Sequence, residues 1–362
     1  MWGLKIQHMT SAYTWPEILG ILLSKSDLNR GQASWAMREI MSGEASEAQV
    51  GAFMMALRAK GESVDELAGL VDVMLDHSVI LDTGSNAVDI VGTGGDMIGT
   101  VNVSTMASIV TSAMGVPVMK HGSRSASGKT GSSEMLEVLG VRLDLSPERV
   151  ADIFREIGIT FFFAPVFHPA MRHVAPIRKQ LGVPTTFNFL GPLANPAQPI
   201  ATSLGVANRL VAPLMAAEVA ARGRTALVFR GDDGLDELTT TAASTIWQVS
   251  SGEVRELRLD PLDLGMRRAP LELLVGGDAH ENAEVARSLF APQRGERLDA
   301  IRDIVALNAA GGLVAYELAK DPSRVEVSLL ERFAVGVERA LEAIDSGAAS
   351  EKLSTWIAVS QS

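Results

Sequence analysis

Asp89-Ile-Val-Gly-Thr-Gly-Gly-Asp96, Thr100-Val-Asn-Val-Ser-Thr105 and Lys120-His-Gly-Ser-Arg-Ser-Ala-Ser-Gly-Lys-Thr-Gly-Ser132 lie close together in the chain, and their reading decides the rest. Residues 88–91 form a short run rich in β-branched side chains and predict a strand. Gly92, Gly94 and Gly95 follow, and a helical pattern opens at about Asn102 and runs to Met114. Strand, glycine turn and helix start together make an anion site, because glycine lets the backbone approach a ligand and the first-turn N–H groups point at it. Asn102, Ser104 and Thr105 add polar side chains at that helix end. A phosphate or diphosphate is the group such a site suits.

A lone glycine turn is more often a plain chain reversal, and the second loop is what carries the reading further. Residues 116–119 predict another buried strand, which runs into a segment dense in Lys, Arg, Ser and Gly. Lys120, Arg124 and Lys129 bring cations; Ser123, Ser125, Ser127 and Ser132 bring hydroxyls. Two donor-rich loops that each follow a strand belong side by side at one edge of a sheet. The second resembles a phosphate-binding P-loop, but five residues separate Gly122 from Gly128 where that motif has four. A nucleotide hydrolase is the competing enzyme class.

Composition bounds the class. The chain has 362 residues, long enough for a large core and two domains, and is 47% hydrophobic and 21% charged, as soluble globular proteins are. No apolar run reaches membrane-spanning length, and no basic region followed by an apolar stretch argues for secretion. Met9 is an alternative start, and residues before Ser11 read as a frayed tail. With no cysteine there is no disulfide, thiolate metal site or cysteine nucleophile, which fits a cytoplasmic protein. The formal net charge of −11 argues against nucleic acid as a partner. A chain this acidic gathers an anion through a local basic loop and a metal.

The organisation is helical first and mixed afterwards. Thr14-Trp-Pro-Glu17, Ser46-Glu-Ala-Gln49 and Ser63-Val-Asp-Glu66 each carry a helix-capping pattern, and four helices are expected before about residue 82. The helix opened by Ser46 is expected to end at Lys60, before Gly61, and the next to bury Leu67, Leu70, Val71, Met74 and Leu75. From residue 87 strands and helices alternate, which predicts a mostly parallel α/β sheet. Strands are expected at 88–91, 116–119, 160–164, 202–206 and 225–229, with a late hairpin at 245–249 and 254–259. Helices are expected at 103–114, 133–139, 147–157, 211–221, 302–318 and 327–346.

Asp236-Glu237 follows the predicted strand at 225–229, in a turn that also holds Asp232 and Asp233. Such a turn is ordinarily just solvated. Beside a diphosphate loop it gains another use, since Mg²⁺ takes one or two carboxylates plus phosphate oxygens and water. Neighbouring side chains on extended backbone point to opposite sides, which favours two ions over one shared site. Arg178 alone reads as a surface arginine, although its guanidinium fork suits a carboxylate ligand.

These residues resemble anthranilate phosphoribosyltransferase, as do Phe163-Ala-Pro-Val-Phe-His-Pro-Ala170, Ile177-Arg-Lys-Gln-Leu-Gly182, Thr186-Phe-Asn-Phe-Leu-Gly-Pro-Leu-Ala-Asn-Pro196, Gly234-Leu-Asp-Glu-Leu-Thr239 and Gly276-Gly-Asp-Ala279. The resemblance covers nearly the whole chain after the first dozen residues. It implies an α/β fold with a small N-terminal helical domain and a large domain with a mostly parallel central sheet, the architecture shared with nucleoside phosphorylases. The helical domain would span 1–83 and regain a segment near 168–185, leaving 84–167 and 186–362 to the α/β domain. It further implies transfer of the phosphoribosyl group from 5-phosphoribosyl 1-pyrophosphate to anthranilate, the second step from chorismate to tryptophan, by a cytoplasmic homodimer joined through the helical domain.

By the same resemblance, the donor would be held by Gly92, Gly95, Asp96, Thr100, Asn102, Val103, Ser104, Thr105, Lys120, His121, Gly122, Ser123, Arg124, Ser125, Ala126, Ser127, Gly128 and Ser132. Gly92, Ser123 and Arg178 would hold anthranilate; Ser104, Asp236 and Glu237 would hold two magnesium ions. Lys120 and His121 are the candidates for catalytic groups, although an aromatic amine, neutral near pH 7, needs no strong base. Two departures stand out. Ser123 replaces the family's usual Asn, and Met97 stands where a small residue is usual, next to the phosphate loop. A transferase for another aromatic acid, a pyrimidine-nucleoside phosphorylase and a non-catalytic donor sensor are the rival readings. Retention of Ser104, Asp236 and Glu237 argues against the sensor.

Overall fold

The structure, a computed structural model, describes residues 13–81, 83–124 and 130–362. Met9 and, in the second loop, Ser125, Ala126, Ser127, Gly128 and Lys129 lie outside the described residues. The chain starts with four helices, α1 (Trp15–Leu23), α2 (Arg30–Ser42), α3 (Glu47–Lys60) and α4 (Val64–Asp76). The capping signals act as read. Glu17, Gln49 and Glu66 each reach back to the backbone N–H of the capping residue, at 2.9, 2.8 and 2.8 Å. The faces these helices turn inward bury Phe53, Leu57, Leu67, Leu70, Val71 and their neighbours.

The alternating part follows: β1 (Val88–Gly92), α5 (Val103–Ala113), β2 (Val118–Gly122), α6 (Ser132–Leu139), α7 (Pro147–Ile157), β3 (Ile159–Phe163), then the short α8 (Ala164–Phe167), α9 (Ala175–Leu181) and α10 (Phe187–Leu190). It continues with β4 (Ala201–Gly205), α11 (Ala212–Ala221), β5 (Thr225–Gly231) and the hairpin β6 (Ser244–Ser250) and β7 (Glu253–Leu259). It closes with α12 (Ala279–Phe290), α13 (Glu296–Lys320), α14 (Leu329–Asp345) and α15 (Ala348–Gln361). The seven strands order as β3-β2-β1-β4-β5-β6-β7; the first five are parallel and the hairpin is antiparallel.

Strand β2 starts later than expected and runs further. Pro117 has no N–H to give the ladder, so pairing opens at Val118, whose N–H donates to Gly158. It continues through Lys120-His121-Gly122 because β3 pairs there residue for residue. One face of the sheet is covered by α5, α12, α13, α14 and α15 around Ile90, Val110, Ile304 and Trp356. Buried residues of α1–α4, α9, α10 and α11 form a second cluster with sheet residues Leu204, Val228 and Trp247. No described helix is long and apolar enough to cross a membrane.

Candidate active site

Strand order reverses between β1 and β4, and in an open parallel sheet the crevice beyond that reversal is where ligands sit. Gly92 and Gly205 end these strands as registered partners, and both lie against Asp236. A Cβ on Gly205 would coincide with the Asp236 carbonyl oxygen; one on Gly92 would overlap its carboxylate. Glycine at both strand ends is therefore what admits the turn after β5 into the crevice. Asp236 then accepts from the Gly94 N–H at 2.7 Å, tying the acidic turn to the glycine loop.

Asp236 and Glu237 are both buried, side by side in a bend of the turn after β5. Asp236 faces Gly94 and Asp96, while Glu237 lies near the Ser104 backbone at the start of α5. Burial, then the Asp96 charge, pushes the Asp236 carboxyl up to about 7. Burial and the neighbouring Asp236 charge hold Glu237 well above the usual carboxylate range. Among the described residues the cation that acts on Glu237 is Lys120, itself buried, whose ammonium donates to the Ile90 carbonyl and to Ser104 Oγ at 3.3 Å. Burial pulls its pKa down, and the charges of Asp89 and Glu237 oppose that. Lys120 is thus turned into the protein, against the acidic pair.

Asp89 organises the end of β2. Its carboxylate is fully buried, accepts from the His121 N–H at 3.1 Å and from Asn195 Nδ2 at 2.8 Å, and is pushed up by burial to about 6. Asn195 Nδ2 also donates to the Met119 carbonyl at 2.9 Å. His121 Nδ1 meets the Gly191 carbonyl at 3.1 Å, and the His121 and His168 rings lie edge to face with centroids 5.1 Å apart. Burial holds His121 down at about 3 and His168 at about 4, so both are neutral at pH 7. Asp89, Asn195 and His168 are site-shaping residues that sequence reading passed over. An aspartate inside an otherwise apolar strand was the available signal for Asp89.

The other expected residues divide. Thr100 bridges to Val275, Val103 and Thr105 are buried in the first turn of α5, and the Asp96 carboxylate accepts from the Ile98 N–H at 3.0 Å. Gly122 ends β2; Ser123 follows it, exposed, its carbonyl taking Ser132 Oγ at 3.4 Å. Arg124 is exposed and paired with Glu137 at 3.2 Å, away from the carboxylates. Gly95 and Gly99 flank Met97, which is 85% exposed and holds a left-handed backbone, φ +61°. Arg178 sits half-buried on α9; among the described residues its guanidinium has no hydrogen-bond or ion-pair partner, and burial lowers its pKa. A buried guanidinium without a carboxylate is the group a ligand carboxylate would satisfy.

Asp236 and Glu237 are hard oxygen donors with too little counter-charge, so a divalent cation fits them. Among the described residues no three His, Asp or Glu side chains converge to hold a metal by themselves. That is the donor set magnesium uses when substrate phosphate and water complete its shell.

Residues 84–350 match the glycosyl transferase family, a/b domain, and residues 16–78 the glycosyl transferase family, helical bundle domain. The chain is 55% identical over 353 residues to the anthranilate phosphoribosyltransferase of Leifsonia xyli subsp. xyli (strain CTCB07), across 98% of this chain and 100% of the relative. The chain belongs to the anthranilate phosphoribosyltransferase family. The solved anthranilate phosphoribosyltransferase from Thermus thermophilus superposes with a TM-score of 0.85 at 39% identity, over 95% of this chain and 99% of that one. The anthranilate phosphoribosyltransferase from Saccharomyces cerevisiae in complex with PRPP and Mg gives 0.85 at 27% identity, over 97% and 99%. The small helical and large α/β domains here are the architecture of this transferase family.

Proposed function

We propose that this chain transfers the phosphoribosyl group of 5-phosphoribosyl 1-pyrophosphate to the amine of anthranilate, giving N-(5-phosphoribosyl)anthranilate and diphosphate. The carrying observation is the buried Asp236–Glu237 pair, tied to the glycine loop through the Gly94 N–H and set against the start of α5. Gly92, Gly95, Asp96, Thr100, Asn102, Val103, Ser104, Thr105, Gly122, Ser123 and Ser132 surround the donor in this reading, with Lys120 and His121 beneath them. Asp236, Glu237 and Ser104 hold two magnesium ions, which supply positive charge against the diphosphate. Gly92, Ser123 and Arg178 receive anthranilate, the guanidinium taking its carboxylate.

Catalysis is then placement and charge stabilisation. The bond from the ribose carbon to diphosphate breaks as the amine nitrogen attacks from the opposite side, so the carbon inverts. The buried histidines, neutral at pH 7, give the acceptor pocket an uncharged floor. Residues 1–83 with 168–185 make up the helical domain, and 84–167 with 186–362 the α/β domain. Exposed Leu23 on α1 and Met55 on α3 leave apolar surface on the helical domain and support a homodimer through it. The cytoplasm suits a cysteine-free enzyme of amino-acid synthesis. Loss of anthranilate fluorescence on adding 5-phosphoribosyl 1-pyrophosphate and Mg²⁺ tests the proposal; no loss, with turnover of another aromatic acid, would reassign the acceptor.

A further inference from the structure

Asn102 stands at the N-cap of α5, where an asparagine side chain ordinarily accepts a hydrogen bond from the second or third helical N–H. Here it caps nothing. Its Oδ1 accepts from Asn282 Nδ2 at 2.8 Å, and its own Nδ2 reaches the Thr130 carbonyl at 3.4 Å. Asn282 is buried on α12, far along the chain. Its second amide atom, Oδ1, accepts from the Gly277 N–H at 2.9 Å, and the Gly277 carbonyl accepts from Thr130 Oγ1 at 3.0 Å. A Cβ on Gly276 would stand 2.6 Å from Asn282 Oδ1 and 2.9 Å from the Val101 backbone, so the turn lies directly on the start of α5. The Asn282 carboxamide therefore joins the start of α5 to the turn ahead of α12, and both of its partners in turn hold Thr130, ahead of α6.

We infer that Asn282 is a positioning residue for the donor site, holding the Asn102 carboxamide off the helix end and fixing Thr130 beside it. A capping oxygen would fill the space in front of the first turn of α5, where an anion competes for the same N–H groups. Asn282 keeps that space clear and sets the spacing of the two loops that face each other across it. The inference rests on the reading of the α5 start as the donor's phosphate site. Its own content is that a residue on a distant helix, with no substrate contact, controls donor affinity.

The test is steady-state kinetics of the full-length enzyme with Asn282→Ala and Asn282→Asp, beside donor titration by calorimetry in Mg²⁺. Aspartate keeps the acceptor for Gly277 and removes the donor to Asn102. Both variants should raise the KM and Kd for 5-phosphoribosyl 1-pyrophosphate on the order of tenfold, the worth of one or two hydrogen bonds. Both should leave the KM for anthranilate within about twofold and change kcat less than the donor KM. In an Asn102→Ala background, Asn282→Ala should add little, because its effect passes through Asn102. Should Asn282→Ala fail to fold, Thr130→Val breaks the same network from the other side and should raise the donor KM in the same direction. Wild-type donor affinity in the folded variants, or full additivity with Asn102→Ala, overturns the inference. Failure of the wild-type enzyme to use the donor at all would instead overturn the reading beneath it.

Discussion

Replacing Gly92 by Ala should cost activity, with a smaller loss of stability than the same change at Gly205. The added Cβ would lie 3.2 Å from Asp236 Cγ and closer still to Oδ2, so the carboxylate must swing away. It then loses the 2.7 Å bond from Gly94 that ties it to the glycine loop. A hydrogen bond to a charged group is worth about 1.5–3 kcal/mol, so kcat/KM should drop roughly tenfold to 150-fold if the loss is felt in the transition state. The unfolding midpoint should also fall, because the displaced carboxylate is buried and the Cβ stands 3.3 Å from the Asp236 carbonyl oxygen. The Gly→Ala gain of about 0.4–1 kcal/mol through the unfolded chain offsets part of this, since Gly92 does not occupy the left-handed region. Gly205→Ala is the contrast, because its Cβ falls on the Asp236 backbone carbonyl, which no side-chain rotation can relieve. Overpacking of that kind costs about 1–3 kcal/mol or more, so this variant should lose more stability as well as activity. Melting curves and magnesium-dependent kinetics of the two variants check the pair. A Gly92→Ala enzyme with wild-type kcat/KM and magnesium dependence would show that Asp236 is not held for catalysis by this contact.

Arg178→Ala should raise the KM for anthranilate about tenfold to a hundredfold and leave donor affinity alone, because its guanidinium has no protein partner among the described residues and only the acceptor brings a carboxylate to it. Calorimetry with each substrate separately checks this, and an equal loss for the donor contradicts it. Ser123 is exposed, and among the described residues only its backbone is engaged, so Ser123→Asn has room and should improve kcat/KM for anthranilate by about one net hydrogen bond, 0.5–1.5 kcal/mol. A panel of aminobenzoates in both forms separates this from retuning for another acid. Acid stability should report His168: burial holds it at about 4 against an ordinary 6.5, so the unfolded chain takes up the proton first. The stability gained by keeping it neutral is complete above about pH 6.5 and is lost as pH falls toward 4. Wild type should therefore lose about 2 kcal/mol relative to His168→Gln between pH 6.5 and 4.5, measured by denaturant titration.

Local signals in the chain were enough for the elements that carry the site. A β-branched run and glycine stops placed β1 and α5, and found β2 about two residues early, while the Glu17, Gln49 and Glu66 capping patterns placed three of the early helices. Helix α13 begins earlier than its apolar pattern because Glu296 to Asp299 extend it with polar residues and Gly295 offers no side-chain cap. The extended backbone expected at Asp236-Glu237 is instead a bend, because the chain there turns back toward Gly92 and Gly205 between β5 and β6. What local pattern could not show was pairing across distance. Lys120 reads as a phosphate cation beside Arg124, yet the fold turns it inward against Ile90 and Ser104, and turns Arg124 onto Glu137. Asn195 on Asp89 and Asn282 on Asn102 join residues more than a hundred positions apart, and nothing near either asparagine announces its partner.

The most direct measurement is turnover of anthranilate by Asp236→Ala/Glu237→Ala, titrated with Mg²⁺ at saturating 5-phosphoribosyl 1-pyrophosphate. Burial and mutual repulsion raise the pKa of both carboxylates, so removing them relieves two buried like charges, which offsets the lost Gly94 contact. The double variant should fold and show no magnesium-dependent loss of anthranilate fluorescence. Wild-type turnover with an unchanged magnesium requirement in that folded variant would contradict the account.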